Sequence, residues 1–287
     1  MKYAWIEEHR DEFRVAHMCR QLKVSRTGYC QWRKREPSER SIANAALDAQ
    51  VAVIHQENQC SYGRPRIVRG LRVRGLQVSH ERVRNSLIRQ GLRAVYKKPY
   101  RVTTDSNHQK PIAANILDRR FAGWRINQAW VGDITYVETD EGWLYLACVM
   151  DLASRRIVGW SMSDRIQTDL VNQALKSAYG LRKPQAGLIM HTDRGSQYAS
   201  DNHRKLIKDY QMIQSMSRRA NCWDNAPMES FFKTLKVERL HQRRYESRAE
   251  AKLDIVDWIE GFYNRKRLHS SIGYSTPLDA ERKAVTA

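Results

Sequence analysis

The segment 128–151 constrains the fold of this 287-residue chain more than any other. It contains two runs rich in β-branched and aromatic residues, 128–138 and 143–151, separated by a glycine-containing turn at 140–142. Such a pattern predicts the two antiparallel strands of a hairpin. The second run is apolar almost throughout, which is typical of a strand in the middle of a sheet.

The residues after this hairpin predict alternating helices and strands. A third strand is expected over 156–162, completing a meander. The remaining predicted strands are 187–191 and 212–217, and the predicted helices are 168–179, 200–210, 224–240 and 249–264. A meander followed by alternating elements predicts an α/β fold with a mixed sheet.

The residues before the hairpin predict small helical modules. In 14–35 the apolar residues fall at helical spacing, and Ser25 can cap a second short helix that carries Arg26 and Arg33. Two short helices with a tight junction fit a DNA-binding helix-turn-helix, although a plain helical hairpin with a solvated basic face has the same pattern. A second helical module of this kind follows, and its last helix, which Ser79 can cap, ends at Gly91.

These patterns divide the chain into five predicted segments. We expect a helix-turn-helix-like module at 1–37, a second helical DNA-binding module at 38–95, a linker at 96–123, an α/β core at 124–240 and a C-terminal helical extension at 241–287.

The charge of the chain indicates a polyanionic partner. Fifty basic residues against 31 acidic ones give a net charge of +19. Residues 1–120 hold 25 basic and 11 acidic residues, so the helical modules carry most of the excess. A surplus of this size favours nucleic acid as the partner.

Other features of the sequence argue against several classes of protein. The five cysteines include no C-x-x-C pair, which argues against a disulfide scaffold or a structural zinc site. The N-terminus lacks the apolar stretch of a signal peptide, and the longest apolar run, 143–150, is too short to span a bilayer. We therefore expect a soluble, cytoplasmic protein with no membrane partner.

Three carboxylates stand in unusual places. Asp133 interrupts the first strand, Asp193 directly follows an apolar strand, and Glu229 lies in the first turns of a helix, near Pro227. A carboxylate within or at the end of a buried strand is costly unless it is paired or binds a metal. Three converging carboxylates suit two Mg²⁺ ions for phosphoryl transfer. A hydrogen-bonded turn residue, a helix cap and a solvated helix residue would explain the same positions.

The sequence around these carboxylates resembles the orfB-type transposases of bacterial insertion sequences, in the DDE transposase and retroviral integrase superfamily. Thirty-five residues separate Asp193 from Glu229, as in the D-35-E spacing of that superfamily. The resemblance extends over nearly the whole chain, through WVGDITY at 130–136, HTDRGSQY at 191–198, YNRKRLHSSIGY at 263–274, STP at 275–277, YCQW at 29–32 and YGRPR at 62–66.

The resemblance implies a ribonuclease-H-like catalytic core in which Asp133, Asp193 and Glu229 are the catalytic and metal-binding triad. It implies two Mg²⁺ ions per site, with Mn²⁺ as a possible substitute. It also suggests that Lys233 and Lys236, on the same helix face as Glu229, hold the DNA end. Simple solvated lysines remain the alternative.

Further DNA contacts are expected from Arg194 and Gln197, next to Asp193, and from Arg265 and His269. The last two lie in a donor-rich turn that could bind phosphate. The segment could equally pack on the core through its aromatic and apolar residues. Unlike retroviral integrases, the chain has no His/Cys set for an N-terminal zinc site, so no structural zinc is expected.

The resemblance implies a bacterial, nucleoid-associated DNA transposase that binds the terminal repeats of an insertion sequence and cleaves and joins DNA strands. Its expected partners are the element ends, the target DNA and further copies of itself on paired ends. An orfA product or fusion is a further candidate partner. A non-catalytic DNA-binding regulator is the alternative. A ribonuclease-H-type nuclease without strand transfer fits the core but not the two basic modules.

Overall fold

The computed structural model describes residues 1–95, 110–219 and 221–286. Half of the predicted linker, 96–123, lies outside the described residues. Its described part, 110–123, contains neither a helix nor a strand.

The first helical module consists of α1 (Lys2–Glu8), α2 (Val15–Gln21) and α3 (Arg26–Lys34). Ser25 caps α3 as predicted, because its Oγ accepts a hydrogen bond from Gly28 N at 3.3 Å. A small apolar cluster joins the three helices, including Ile6 of α1. The sequence analysis did not predict α1, a seven-residue helix without a side-chain cap.

The second helical module consists of α4 (Glu39–Glu57), α5 (Arg64–Val73) and α6 (His80–Arg89). Its core includes Val51, Leu71 and Val83, all fully buried. Ser79 caps α6 by accepting a hydrogen bond from Arg82 N at 3.3 Å.

Five strands form one sheet: β1 (Ala129–Thr139), β2 (Gly142–Asp151), β3 (Ile157–Ser163), β4 (Ile189–Thr192) and β5 (Ile213–Met216). Their order is β3-β2-β1-β4-β5. The first three strands form the predicted antiparallel meander, whereas β4 runs parallel to β1 and β5 parallel to β4. The predicted mixed α/β sheet preceded by helices is confirmed.

Helices cover both faces of this sheet. One face packs against α7 (Thr168–Arg182) and α8 (Asp201–Asp209). The other packs against α9 (Ala226–Glu238) and α10 (Arg248–Val256). Strands buried on both faces explain the nearly continuous apolar run that predicted β2.

Two of the predicted helices are not α-helical throughout their predicted ranges. The helix predicted at 224–240 is α9 flanked by short 3₁₀ turns, Cys222–Asn225 and Leu240–Gln242. The helix predicted at 249–264 begins as α10 but becomes π-helical over Asp257–Tyr263.

The chain continues from this π-helical segment through an irregular turn to α11 (Pro277–Thr286). Among the helices in the described ranges, none is both long and apolar enough to cross a bilayer.

Candidate active site

The parallel strands β1 and β4 separate at one edge of the sheet. Their last paired residues are Val131 and His191. Asp133 and Asp193 each lie two residues beyond this pair, so the register places both at the same level. Asp193 directly follows the carboxyl end of β4, where ligand sites in open α/β sheets form, and Asp133 lies at the same level within β1, just past the last residues that pair with β4.

The surroundings of Asp133 favour the protonated form of its carboxyl group. It is partly buried on β1, and its Oδ1 accepts a hydrogen bond from Ile134 N at 2.8 Å. Burial raises the pKa of Asp133 well above its ordinary value, and the neighbouring charge of Asp193 raises it further. Glu229 adds a smaller effect in the same direction. The two aspartates therefore interact, as expected for a shared site.

The loop after β4 orients Asp193. Gly195 N donates a hydrogen bond to Asp193 Oδ1 at 2.9 Å. A Cβ atom on Gly195 would lie 3.0 Å from the same oxygen, so a larger residue there would press on the carboxylate. His191 anchors the strand, because its ring bonds Ser215 Oγ at 2.8 Å and Ser217 Oγ at 3.2 Å.

Glu229 lies in the first turn of α9, where Pro227 is tolerated as predicted. Asn225 fixes the start of this helix against β1, since its buried Nδ2 donates to Gly132 O at 3.2 Å. Glu229 follows Asn225 by about one helical turn. The residue is exposed, yet desolvation of its carboxyl group raises its pKa, and the charge of Lys233 opposes this shift.

The charge of Asp193 affects Asp133 more strongly than the charge of Glu229 does. Within the described ranges, no three His, Cys, Asp or Glu side chains are close enough together to hold a metal ion. Asp133 and Asp193 nevertheless fit a hard divalent cation, which takes carboxylate oxygens and would relieve their repulsion. Glu229 would have to approach them to complete the set.

A buried ionic network next to the site was missed by sequence reasoning. Asp224 is fully buried and accepts hydrogen bonds from Arg218 N, Nε and Nη2, from Arg119 Nε and from Asn115 Nδ2. The hydrogen bonds from Arg218 are the main cause that holds the pKa of Asp224 well below its usual range. The only sequence signal was an aspartate near the predicted helix start.

Comparison with known proteins identifies the family of this chain. Residues 125–222 and 210–277 match models of the integrase core domain, and residues 41–100 match a model of the HTH-like domain. Transposase InsF for insertion sequence IS3A of Escherichia coli (strain K12) is 41% identical over 285 residues, covering 99% of both chains. The chain belongs to the insertion-sequence transposases.

Other similar proteins include the insertion element IS600 uncharacterized 31 kDa protein of Shigella sonnei. It is 42% identical to this transposase over 266 residues, which cover 93% of this chain and 98% of that one. A simian T-cell lymphotropic virus intasome chain is 14% identical, with a TM-score of 0.47, covering 80% of this chain and 74% of that chain. The magnesium complex of the HTLV-2 integrase catalytic core, in its dimeric form, is 17% identical, with a TM-score of 0.42, covering 56% and 99%.

The family and its integrase core make this protein a DNA transposase with a polynucleotidyl transferase type of activity. Four of the predicted DNA-contacting residues of this transposase lie near the triad. Lys233 is exposed on α9, whereas Lys236 Nζ lies 4.3 Å from the centre of the Tyr136 ring. Burial lowers the pKa of Lys236. Arg194 Nε donates to Ser217 O at 2.5 Å, and Gln197 Nε2 to Ile166 O at 3.5 Å.

The other predicted DNA contacts lie in different parts of the molecule. Arg265 is exposed. His269 instead packs edge-on against the Tyr263 ring, as in the packing alternative for this segment. In the first helical module, Arg26 is exposed and Arg33 Nε lies 3.4 Å from a Glu7 carboxylate oxygen.

Proposed function

We propose that this transposase binds the terminal repeats of its insertion sequence and catalyses metal-dependent strand cleavage and strand transfer. Asp133, Asp193 and Glu229 are the proposed catalytic triad. One observation carries the proposal: two interacting aspartates lie at equal register just beyond Val131–His191, the last residue pair of the parallel strands β1 and β4, and next to the carboxyl end of β4.

The three carboxylates are proposed to hold two Mg²⁺ ions, with Mn²⁺ able to substitute. Bound ions of this kind activate an attacking hydroxyl and stabilise the leaving oxygen of an in-line displacement. Gly195 N–H keeps the Asp193 carboxylate in one orientation for this task. Asn225 sets the height of α9, and thereby of Glu229, above β1.

The proposed reaction has two displacements. Water first attacks the phosphodiester at the element end, and the 3′-oxygen leaves as a free 3′-hydroxyl. This hydroxyl then attacks a phosphodiester of the target DNA in line, so that one P–O bond forms as another breaks. Neither displacement requires a covalent bond to the protein.

DNA is proposed to contact the chain at Lys233, Lys236, Arg194 and Gln197 near the triad, and at Arg265 and His269 in the C-terminal part. Arg26 and Arg33 would contact it from the first helical module. Because two element ends must meet, we propose a homo-oligomer on DNA, with an orfA product or fusion as a further partner. Such a protein would work in the bacterial cytoplasm at the nucleoid.

The decisive experiment is Mg²⁺-dependent strand joining, or its reversal, on a branched DNA substrate. Wild type is compared with Glu229→Gln, and with Glu138→Gln as a control, because Glu138 is exposed on the same strand as Asp133. Activity in wild type and Glu138→Gln that is lost in Glu229→Gln would support the triad. Equal activity in all three would refute it. DNA binding without strand chemistry in any of them would favour a non-catalytic regulator.

A further inference from the structure

Two segments that contain none of the proposed catalytic triad contact one another through residues that lie more than 200 positions apart in the sequence. They are YGRPR at 62–66 and YNRKRLHSSIGY at 263–274. The Tyr62 hydroxyl donates a hydrogen bond to Lys266 O at 3.1 Å and accepts one from Leu268 N at 2.9 Å. Tyr62 is only 2% exposed. One hydroxyl of the second helical module therefore satisfies two backbone groups of the C-terminal segment.

Apolar packing supports this contact. The Leu268 side chain packs against the core of the second helical module, to which Tyr62 also belongs. The C-terminal segment thus completes the core of a module that precedes it in the chain. We call this contact of Tyr62 and the module core with residues 266–268 the docking interface. Because Tyr62 is buried in it, its hydrogen bonds are shielded from water, which strengthens them.

Charged groups extend the docking interface to α9. Arg267 donates to both carboxylate oxygens of Glu238 at 2.7 Å, and Arg66 Nη1 lies 3.8 Å from Glu238 Oε1. Arg267 is buried, and Arg66 also stacks over the Tyr62 ring at 5.5 Å. One carboxylate therefore connects an arginine of the helical module with an arginine of the C-terminal segment.

Glu238 is the last residue of the helix that carries Glu229 in its first turn. The nine residue steps from Glu229 to Glu238 span about 14 Å of one continuous α-helix. A shift of the second helical module would therefore reach Glu238 through Arg66, and the same helix would carry it to Glu229.

We propose that this docking interface couples DNA held by the second helical module to the active site, with Tyr62 and Arg66 as positioning residues for α9 and Glu229. The inference rests on the proposed function. It assigns the interface a role in turnover and in the position of the cut rather than in DNA affinity.

The test uses the full chain and a duplex that bears the terminal repeat of the element encoding it. Tyr62→Phe keeps the packed ring and removes both hydrogen bonds, and Arg66→Ala removes the contact to Glu238. Arg64→Ala is the control, because Arg64 is exposed on the same helix. Affinity is measured without divalent metal, and turnover and the position of the 3′ cut are measured with Mg²⁺.

We expect all variants to bind the duplex within about twofold of wild type. Turnover should fall about tenfold in Tyr62→Phe and in Arg66→Ala, and the cuts should spread to neighbouring positions, because each lost contact to the interface loosens α9. Arg64→Ala should behave as wild type. Arg66→Lys keeps the charge and should recover most of the turnover.

A photo-crosslinking residue at position 62 tests the contact itself and should capture the 266–268 segment. Failure to capture it, or wild-type turnover and cut positions in both Tyr62→Phe and Arg66→Ala, would overturn the coupling while leaving the proposed function intact. Absence of strand chemistry in wild type would instead refute the proposed function and the coupling with it, although the crosslink would still report the docking.

Discussion

Removing the buried carboxylate of Asp224 should loosen the segment that leads into α9, the helix that carries Glu229. Asp224 accepts three hydrogen bonds from Arg218, one of them from its backbone N–H. Arg119 and Asn115 supply two more. Asn225, which fixes α9 to β1, is the next residue. The substitution Asp224→Ala therefore removes the central acceptor of this segment without touching the proposed triad.

The expected loss of stability depends on whether each hydrogen-bond donor of Asp224 can find water or another partner in Asp224→Ala. The side chains of Arg218 and Arg119 are 48% and 45% exposed, so their guanidinium groups can turn to water. Hydrogen bonds to charged groups contribute about 1.5–3 kcal/mol each before such compensation. The backbone N–H of Arg218 and the amide of Asn115 are less able to find new partners. We expect a net loss of about 2–3 kcal/mol.

Limited trypsin digestion measures this loss locally, because the bond after Arg218 becomes cleavable only when the segment opens. When opening is fast relative to cleavage, the rate follows the open population. A loss of about 2–3 kcal/mol should then speed the cut about 30- to 150-fold. Asp118→Ala is the control, since Asp118 also faces Arg218, at 3.8 Å, but is 69% exposed. It should change the rate by about twofold at most.

The pH dependence provides a second check. The pKa of Asp224 is held well below its ordinary value, chiefly by the hydrogen bonds from Arg218. Its stabilisation is therefore complete above the unfolded-state pKa of about 3.9 and disappears only as the pH falls through the lower folded-state value. Amide exchange should show a constant difference between wild type and Asp224→Ala from pH 7 to about 5. Equal cleavage and equal exchange in the two proteins would refute the proposed role of the network.

Three other predictions concern the core of the fold. Gly159→Ala should lower stability by about 1–3 kcal/mol in calorimetry, because a Cβ atom there would lie 2.3 Å from Ala174 O. Gly180→Ala is the control. It has open space around it and should raise stability by up to about 1 kcal/mol. In the absence of metal, Asp133→Asn should stabilise the protein at pH 7 by on the order of 1 kcal/mol, since the raised pKa shows that ionised Asp133 is disfavoured in the folded state. The gain should shrink as the pH falls towards 4 and Asp133 is protonated, and no gain at pH 7 would contradict this reading. The ring of His191 should stay neutral in NMR titrations until about pH 4, because burial lowers its pKa to about 4. Its contribution to the free energy of unfolding should therefore decline as the pH falls from about 6.5 to 4. A ring that titrates near pH 6.5 would contradict its buried placement.

The elements that local sequence patterns determine were predictable. The hairpin of β1 and β2 follows from two β-branched and aromatic runs around a turn, and Ser25 and Ser79 marked two helix starts through their caps. The placement of Asp133 within a strand and of Asp193 at the end of one was visible for the same reason, because Asp133 interrupts an apolar run and Asp193 follows one.

The relations between distant segments were not predictable from such patterns. The contact of Tyr62 with Leu268 joins residues that are 206 positions apart, and neither residue differs in type from ordinary core residues. Asp224 was equally inconspicuous, since its arginine and asparagine partners come from two separate segments. Local periodicity carries no information about which distant donors reach a buried acceptor.

The proposed triad therefore has two kinds of member. Asp133 and Asp193 are placed by the β1–β4 register, which the core on both faces of the sheet holds. Glu229 is placed by a helix that is tied at one end to β1 through Asn225 and at the other to Arg267 and Arg66 through Glu238. Strand pairing in a packed sheet admits little movement, whereas a helix can shift along its contacts. We therefore expect Glu229, rather than either aspartate, to be the carboxylate whose position changes when DNA binds.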